Sequence, residues 1–153
     1  MSPLTPFDLF SDLTVKLSKI NQAFLNSLEY ELDNHEIYEI NVIQALMLKN
    51  IGDTKTNITK ATSRGYYLGK NMSYNISALL SKGYLLKEID NNDERSVCLI
   101  LTKKGLKVLS IIDNAISSQV RSLTSEGVND NFIENVNGII DKMQIVLDKN
   151  ARI

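Results

Sequence analysis

Very little in this chain could carry covalent chemistry. Its 153 residues include one histidine (His35), one cysteine (Cys98) and no tryptophan. Neither His35 nor Cys98 sits in a metal-ligand spacing such as C-x-x-C or H-E-x-x-H. No G-x-x-x-x-G-K-[ST] or G-x-G-x-x-G phosphate loop occurs. Carboxylates are plentiful, but no two can be nominated as an acid and base pair without a pocket around them. These absences weigh against an enzyme, so no catalytic residue, metal or cofactor is expected. A lone cysteine excludes an intramolecular disulfide framework and fits a reducing compartment. No apolar run approaches the roughly 20 residues of a membrane span. The opening "MSPLTPFDLF" has neither the basic start nor the small-residue cleavage site of a signal peptide. A cytoplasmic protein is the expectation.

The chain has the composition of an ordinary globular protein, 43% hydrophobic and 23% charged, and its length favours one domain, with or without an added dimerisation element. A net charge of −1 argues against a general polyanion binder, but the charge is segregated. Residues 54–107 hold ten Lys/Arg and four acids, a net +6; the remainder holds seven and fourteen, a net −7. A basic centre between acidic ends suits phosphate contact by the centre alone, although a solvated face would look the same from charge alone.

Apolar spacing divides the chain into elements. Phe10, Leu13, Leu17, Ile20, Phe24 and Leu28 alternate steps of three and four, the seam of a helix over 7–32. "EIYEINVIQALMLKNIG" (36–52) reads as a second helix, apolar nearly all round and stopped by Gly52. A short strand or turn follows, then a short helix near 57–63 broken by Gly65. The next helix runs from Lys70 to Lys82, with Met72, Ile76, Leu79 and Leu80 as its buried stripe and Lys70, Asn71, Ser73, Tyr74 and Ser77 on its opposite face. "YLLKEI" (84–89) and "SVCLIL" (96–101) form a hairpin around the polar tip Asp90–Arg95. Thr102 can cap a helix whose seam is Leu106, Leu109, Ile112, Ile116, Val120 and Leu123. After the break "SEGVND", a last helix over 130–149 turns Phe132, Val136, Ile139, Ile140, Met143, Val146 and Leu147 inward. The expected fold is mainly α with a small β-hairpin wing (α+β), because a helix-turn-helix followed by a hairpin makes a winged helix.

These residues resemble the MarR family of bacterial winged-helix regulators over nearly the whole chain. The family's helix ending in K-G appears as Lys82-Gly83, its wing D-x-R as Asp93-Glu94-Arg95, and its L-T-x-x-G as Leu101-Thr102-Lys103-Lys104-Gly105. "RGYYLGKNMSYN" (64–75) also looks like an alphaproteobacterial subgroup. The resemblance implies a homodimer, with residues 1–35 and 106–153 as the dimerisation region and 36–105 as the winged helix-turn-helix. Independently, the seams at 10–28, 106–123 and 132–147 hold more apolar surface than one small winged helix needs, and an intersubunit bundle would bury it.

By this reading double-stranded DNA is the partner. The helix Lys70–Lys82 would enter the major groove, where Asn71 can bond adenine bidentately and Lys70, Ser73, Tyr74 and Ser77 share its face. An ordinary amphipathic helix is the bland alternative, but solvated faces usually carry Glu and Lys rather than Asn, Ser and Tyr. Arg64 can clamp a phosphate from the preceding turn; Tyr66 and Tyr67 can do the same or simply fill the core, as expected of Tyr67. Arg95 can enter the minor groove or pair with Asp93 to stiffen the tip. Asn91, Asn92 and Glu94 stand where many relatives are basic, so a modest wing contribution is expected. The resemblance also implies a small-molecule effector, with Tyr30, His35, Tyr38 and Met47 as pocket candidates, although plain core or dimer contact explains them better. Cys98, mid-strand, is expected to be a small hydrophobe rather than a redox switch. The functional expectation is a sequence-specific transcriptional regulator on a pseudo-palindromic operator. A non-specific architectural DNA-binding protein and a winged-helix protein-interaction module are the alternatives.

Overall fold

The computed structural model describes residues 4–57, 71–90 and 93–151, with only the backbone of 90 and 93–96. Its elements are α1 (Pro6–Asn34), α2 (Val42–Ile51), β1 (Thr56–Asn57), α3 (Met72–Ser81), β2 (Leu85–Asp90), β3 (Asp93–Leu101), α4 (Lys103–Ser125) and α5 (Asp130–Asn150). Among the described residues there are five helices and one small antiparallel sheet of order β1-β3-β2, which is the expected winged-helix class. The short helix expected near 57–63 lies outside the described residues. No helix among the described residues is long and apolar enough to cross a membrane.

Local chemistry sets the helix ends. Thr5 and Asp8 form a capping box: the Asp8 N–H donates to Thr5 Oγ1 at 3.2 Å and the Thr5 N–H to Asp8 Oδ2 at 2.9 Å, with Pro6 in the first turn. The second helix starts six residues later than the sequence pattern implied. Asn41 and Gln44 make a second capping box, Gln44 N–H to Asn41 Oδ1 at 2.9 Å, and this fixes the start at Val42. Before it, Glu36 takes φ 57° and Ile37 N–H turns back to Leu32 O at 2.9 Å. Residues 36–41 are therefore a connector.

The wing also differs from expectation. The strands reach further into the polar tip than its sequence implies: β2 extends to Asp90 and β3 begins at Asp93, which faces Asp90, and the register shifts between Ile89 and Asp90. Below the shift, Ile89↔Val97, Lys87↔Leu99 and Leu85↔Leu101 continue the ladder. Polar residues can join such a ribbon because backbone groups make its hydrogen bonds.

Contacts divide the chain into two units, residues 1–115 and 116–153. The first holds a core of Leu28 and Leu32 from α1, Ala45 to Leu48 and Ile51 from α2, Ile76 and Leu79 from α3, Leu85 and Leu99 from the sheet, and Val108 and Ile112 from α4. Cys98 is buried beside them. The second holds the end of α4, a turn at Gly127 (φ 87°), and α5, capped by Asn129 Oδ1 accepting from Phe132 N–H at 3.0 Å. No residue of α5 is buried, although seven of its apolar residues were expected to face inward.

Candidate nucleic-acid interface

Helix α3 is set by what lies behind it. Ile76 and Leu79 are buried, Met72 and Leu80 are half-buried, and Asn75 joins them at 7% exposure. Burying an amide requires partners. Gln44 of α2 supplies one, its Nε2 donating to Asn75 Oδ1 at 3.1 Å. The same Gln44 side chain accepts from Asn41 N–H at 3.3 Å, so one buried residue both starts α2 and links it to α3. Spacing alone did not reveal this link, because Gln44 is a polar residue inside an apolar helix.

The motif L-T-K-K-G receives a physical explanation at the other end. Gly83, at φ 75°, ends α3, with Gly83 N–H on Leu80 O at 3.1 Å and Tyr84 N–H on Leu79 O at 2.9 Å. Thr102 Oγ1 donates to Gly83 O at 2.7 Å and accepts from Gly105 N–H at 3.2 Å, capping α4 while clamping that turn. A Cβ on Gly105 would stand 2.3 Å from Tyr84 O, so a glycine is needed for this approach.

On the outside of α3, Asn71, Ser73, Tyr74 and Ser77 are all exposed, Tyr74 at 72%. Asn71 occupies the N-cap position, yet its side chain makes no capping hydrogen bond. The helix begins at Met72 rather than Lys70. Arg64, Lys70, Tyr66 and Tyr67 lie outside the described residues, as does the side chain of Arg95, whose backbone is in β3.

Part of the basic charge is already engaged. Lys55 Nζ donates to Ile89 O at 3.1 Å and pairs with Glu88 at 3.4 Å. Lys82 Nζ donates to Glu39 O, and Lys104 Nζ to Glu39 Oε2 and, at 3.1 Å, to Lys82 O. Tyr84 OH donates to Glu39 Oε2 at 2.9 Å, and Lys104 Nζ lies 4.3 Å from the Tyr84 ring centre. The Lys104 hydrogen bond, then that of Tyr84, holds the Glu39 carboxyl below its usual range. The bond to Glu39 raises Lys104, while burial first, then the Glu39 bond, pushes the Tyr84 hydroxyl up. Lys87, Lys103 and Lys107 are exposed and make no ion pair among the described residues.

Two open cavities flank the connector. One, of about 410 Å³, is lined by Tyr38, Glu39, Gln44, Tyr74 and Lys82 among others. The second, of about 340 Å³, is lined by His35, Tyr38, Glu39, Tyr84, Lys104 and Lys107 among others. Of the four pocket candidates, Tyr38 lines both and His35 the second. Tyr30 and Met47 line neither: Tyr30 is an exposed residue of α1, and Met47 is sealed in the core by its place on the inner face of α2. His35 is held by its own helix, with Nδ1 2.9 Å from Glu31 O.

The chain is similar along its length to known regulators. Over 94% of this chain and 74% of the other, it is 23% identical to the exopolysaccharide II synthesis transcriptional activator ExpG of Rhizobium meliloti (strain 1021). Streptococcus pneumoniae FabT, solved in complex with DNA, superposes with a TM-score of 0.70 at 19% identity, covering 91% of this chain and 98% of that one. Staphylococcus aureus MarR, solved with salicylate and kanamycin, superposes at 0.68 with 18% identity, covering 92% and 93%. The fold is that of the MarR regulators. No family model matches the chain. The MarR fold accounts for the chain order of the described elements, with α2, α3 and the β2–β3 hairpin following the long α1 and preceding the long α4 and α5.

Proposed function

We propose that the protein is a sequence-specific DNA-binding transcriptional regulator that acts as a homodimer on a pseudo-palindromic operator. The observation that carries this reading is the outer face of α3. There Asn71, Ser73, Tyr74 and Ser77 stand exposed on a helix tied from behind by Gln44–Asn75, and the Asn71 side chain makes no capping bond. Asn and Tyr so placed read base edges and phosphates, and Asn71 can bond adenine through both amide atoms. Arg64, Lys70 and Arg95 would add phosphate and minor-groove contacts.

The homodimer rests on exposed apolar surface. Phe7, Phe10 and Ile20 on α1, Val120 and Leu123 on α4, and Phe132, Ile139, Val146 and Leu147 on α5 are all exposed in the single chain. Isolated soluble proteins rarely leave that much apolar surface uncovered, and a second copy meeting residues 1–35 and 106–153 would cover it. Half-sites would then lie about 34–36 Å apart, one turn of DNA. A small-molecule effector would enter the cavities that Tyr38 lines, with His35 at the second. Such a molecule regulates only if it prefers one of two arrangements of the reading heads. Acting on the chromosome, the protein would work in the cytoplasm, as a chain with a single cysteine fits. The "RGYYLGKNMSYN" sequence and the likeness to ExpG support an alphaproteobacterial subgroup.

The non-specific architectural reading is weakened by the engagement of Lys55, Lys82 and Lys104 within the protein, since such binding relies on free positive charge. In vitro selection from fragmented genomic DNA, with wild type beside the Asn71→Ala/Tyr74→Ala double variant, tests the proposal. Enrichment of a palindrome by the wild type alone is expected. Equal, unselective enrichment by both would replace it with the architectural reading. No retention at low salt would leave only a protein-interaction module.

A further inference from the structure

The cluster around Glu39 gathers groups from three parts of the first unit. Glu39 belongs to the connector 36–41. Lys82 caps the C-terminal end of α3, Tyr84 leads into β2, and Lys104 stands in the first turn of α4. The Glu39 carboxylate accepts from both Lys104 and Tyr84, and its backbone carbonyl accepts from Lys82. Lys104 completes the ring by donating to Lys82 O. The C-cap of α3 thus meets Glu39 directly through the Lys82 side chain and, through its carbonyl and Lys104, indirectly. The Glu39 side chain is 57% exposed, and an ion pair in that setting adds little to stability. Its convergent geometry, by contrast, restricts where the end of α3 can lie.

We propose that Glu39 is a positioning residue for the DNA-reading helix, a latch that sets the placement of α3 from its C-terminal end while Gln44–Asn75 holds it from behind. The proposal rests on the DNA-binding reading for its functional consequence. The latch itself is a property of the free protein. Glu39 also walls both cavities, so the same residue joins the cavities to the reading helix.

Full-length wild type, Glu39→Ala and Glu39→Gln test this with two readouts. The first is hydrogen exchange without DNA at the amides of Lys82, Gly83 and Tyr84, each bonded to a carbonyl of α3. Glu39→Ala, which removes both carboxylate bonds and keeps the Lys82 bond to the backbone carbonyl, should speed their exchange and leave Leu46 to Leu48 in α2 unchanged. The second is affinity for the selected operator against random-sequence DNA. Glu39→Ala should weaken operator binding on the order of five-fold or more, and leave random-DNA affinity and the salt slope unchanged. Glu39→Gln, whose amide oxygen can still accept from Tyr84 and Lys104, should recover part of both effects. The melting temperature should move by no more than about 4 °C, as loss of one exposed ion pair implies. Unchanged exchange at 82–84 overturns the latch whatever the DNA result. Equal weakening on operator and random DNA, with a large fall in melting temperature, overturns it in favour of a merely structural role. Should the wild type select no operator, the DNA-binding reading fails, and the exchange experiment still decides the latch.

Discussion

Residues 1–115 and 116–153 are built from similar proportions of apolar residues and end up differently. Every buried residue among those described lies in the first unit, and none lies in the second. The first closes on itself because helices and a sheet meet there, so Leu28, Leu48, Leu79, Leu99 and Ile112 are all fully buried. In the second, a helix end, a turn and α5 leave Phe132, Ile139, Val146 and Leu147 exposed. A stripe at helical spacing therefore predicts that a face will be buried, without saying whether the cover comes from the same chain.

The largest effect should come from breaking the second unit's surface. Ile139→Asp with Val146→Asp should convert a dimer to monomer in sedimentation equilibrium and abolish operator binding, while the circular dichroism of the first unit's helices and sheet persists. A stable dimer in this variant would remove the covering role from α5. Next in size is the first unit's core. Leu79→Ala, at a fully buried position of α3, should cost about 2–5 kcal/mol in urea unfolding. A cost under 1 kcal/mol would mean that the site collapses around the smaller side chain.

The same contrast shows what was legible in the sequence. The helix of α1, the buried stripe of α3 and the caps at Thr102 and Gly83 are readable because period and turn chemistry are local. The start of α2 was misplaced because Ile37 and Ile40 continue an apolar pattern. The asparagine and glutamine of the capping box, Asn41 and Gln44, were in plain view. The extent of the wing strands is not readable, because polarity at the tip says nothing about backbone pairing. For the site, the outer face of α3 followed from spacing. Glu39–Lys104 did not, because its partners are 65 residues apart and only the fold brings them together. Gln44–Asn75, whose partners are 31 residues apart, is hidden for the same reason.

That buried amide pair supplies a smaller prediction. Gln44→Leu leaves Asn75 Oδ1 without its donor and should cost about 1–3 kcal/mol by chemical denaturation. Adding Asn75→Leu should recover part of the loss, whereas fully additive costs would deny the coupling. The smallest effect should be that of pH on the Glu39 cluster. Because the folded protein holds the Glu39 carboxyl below its usual range, its contribution is fully present above the ordinary glutamate range and fades as pH falls through the lowered folded value. In acid titration, Glu39→Gln should lack that increment, seen as a shallower loss of stability than in wild type. Superimposable acid profiles would contradict it.

The account stands or falls on whether the outer face of α3 reads base sequence. The most direct measurement is the ratio of operator to random-DNA affinity, at one fixed salt concentration, for wild type and Asn71→Ala. The account predicts a wild-type ratio of at least about 10³, and an Asn71→Ala ratio reduced by about 1–3 kcal/mol with random-DNA affinity unchanged. A wild-type ratio near one, or an equal loss on both DNAs in the variant, would contradict it.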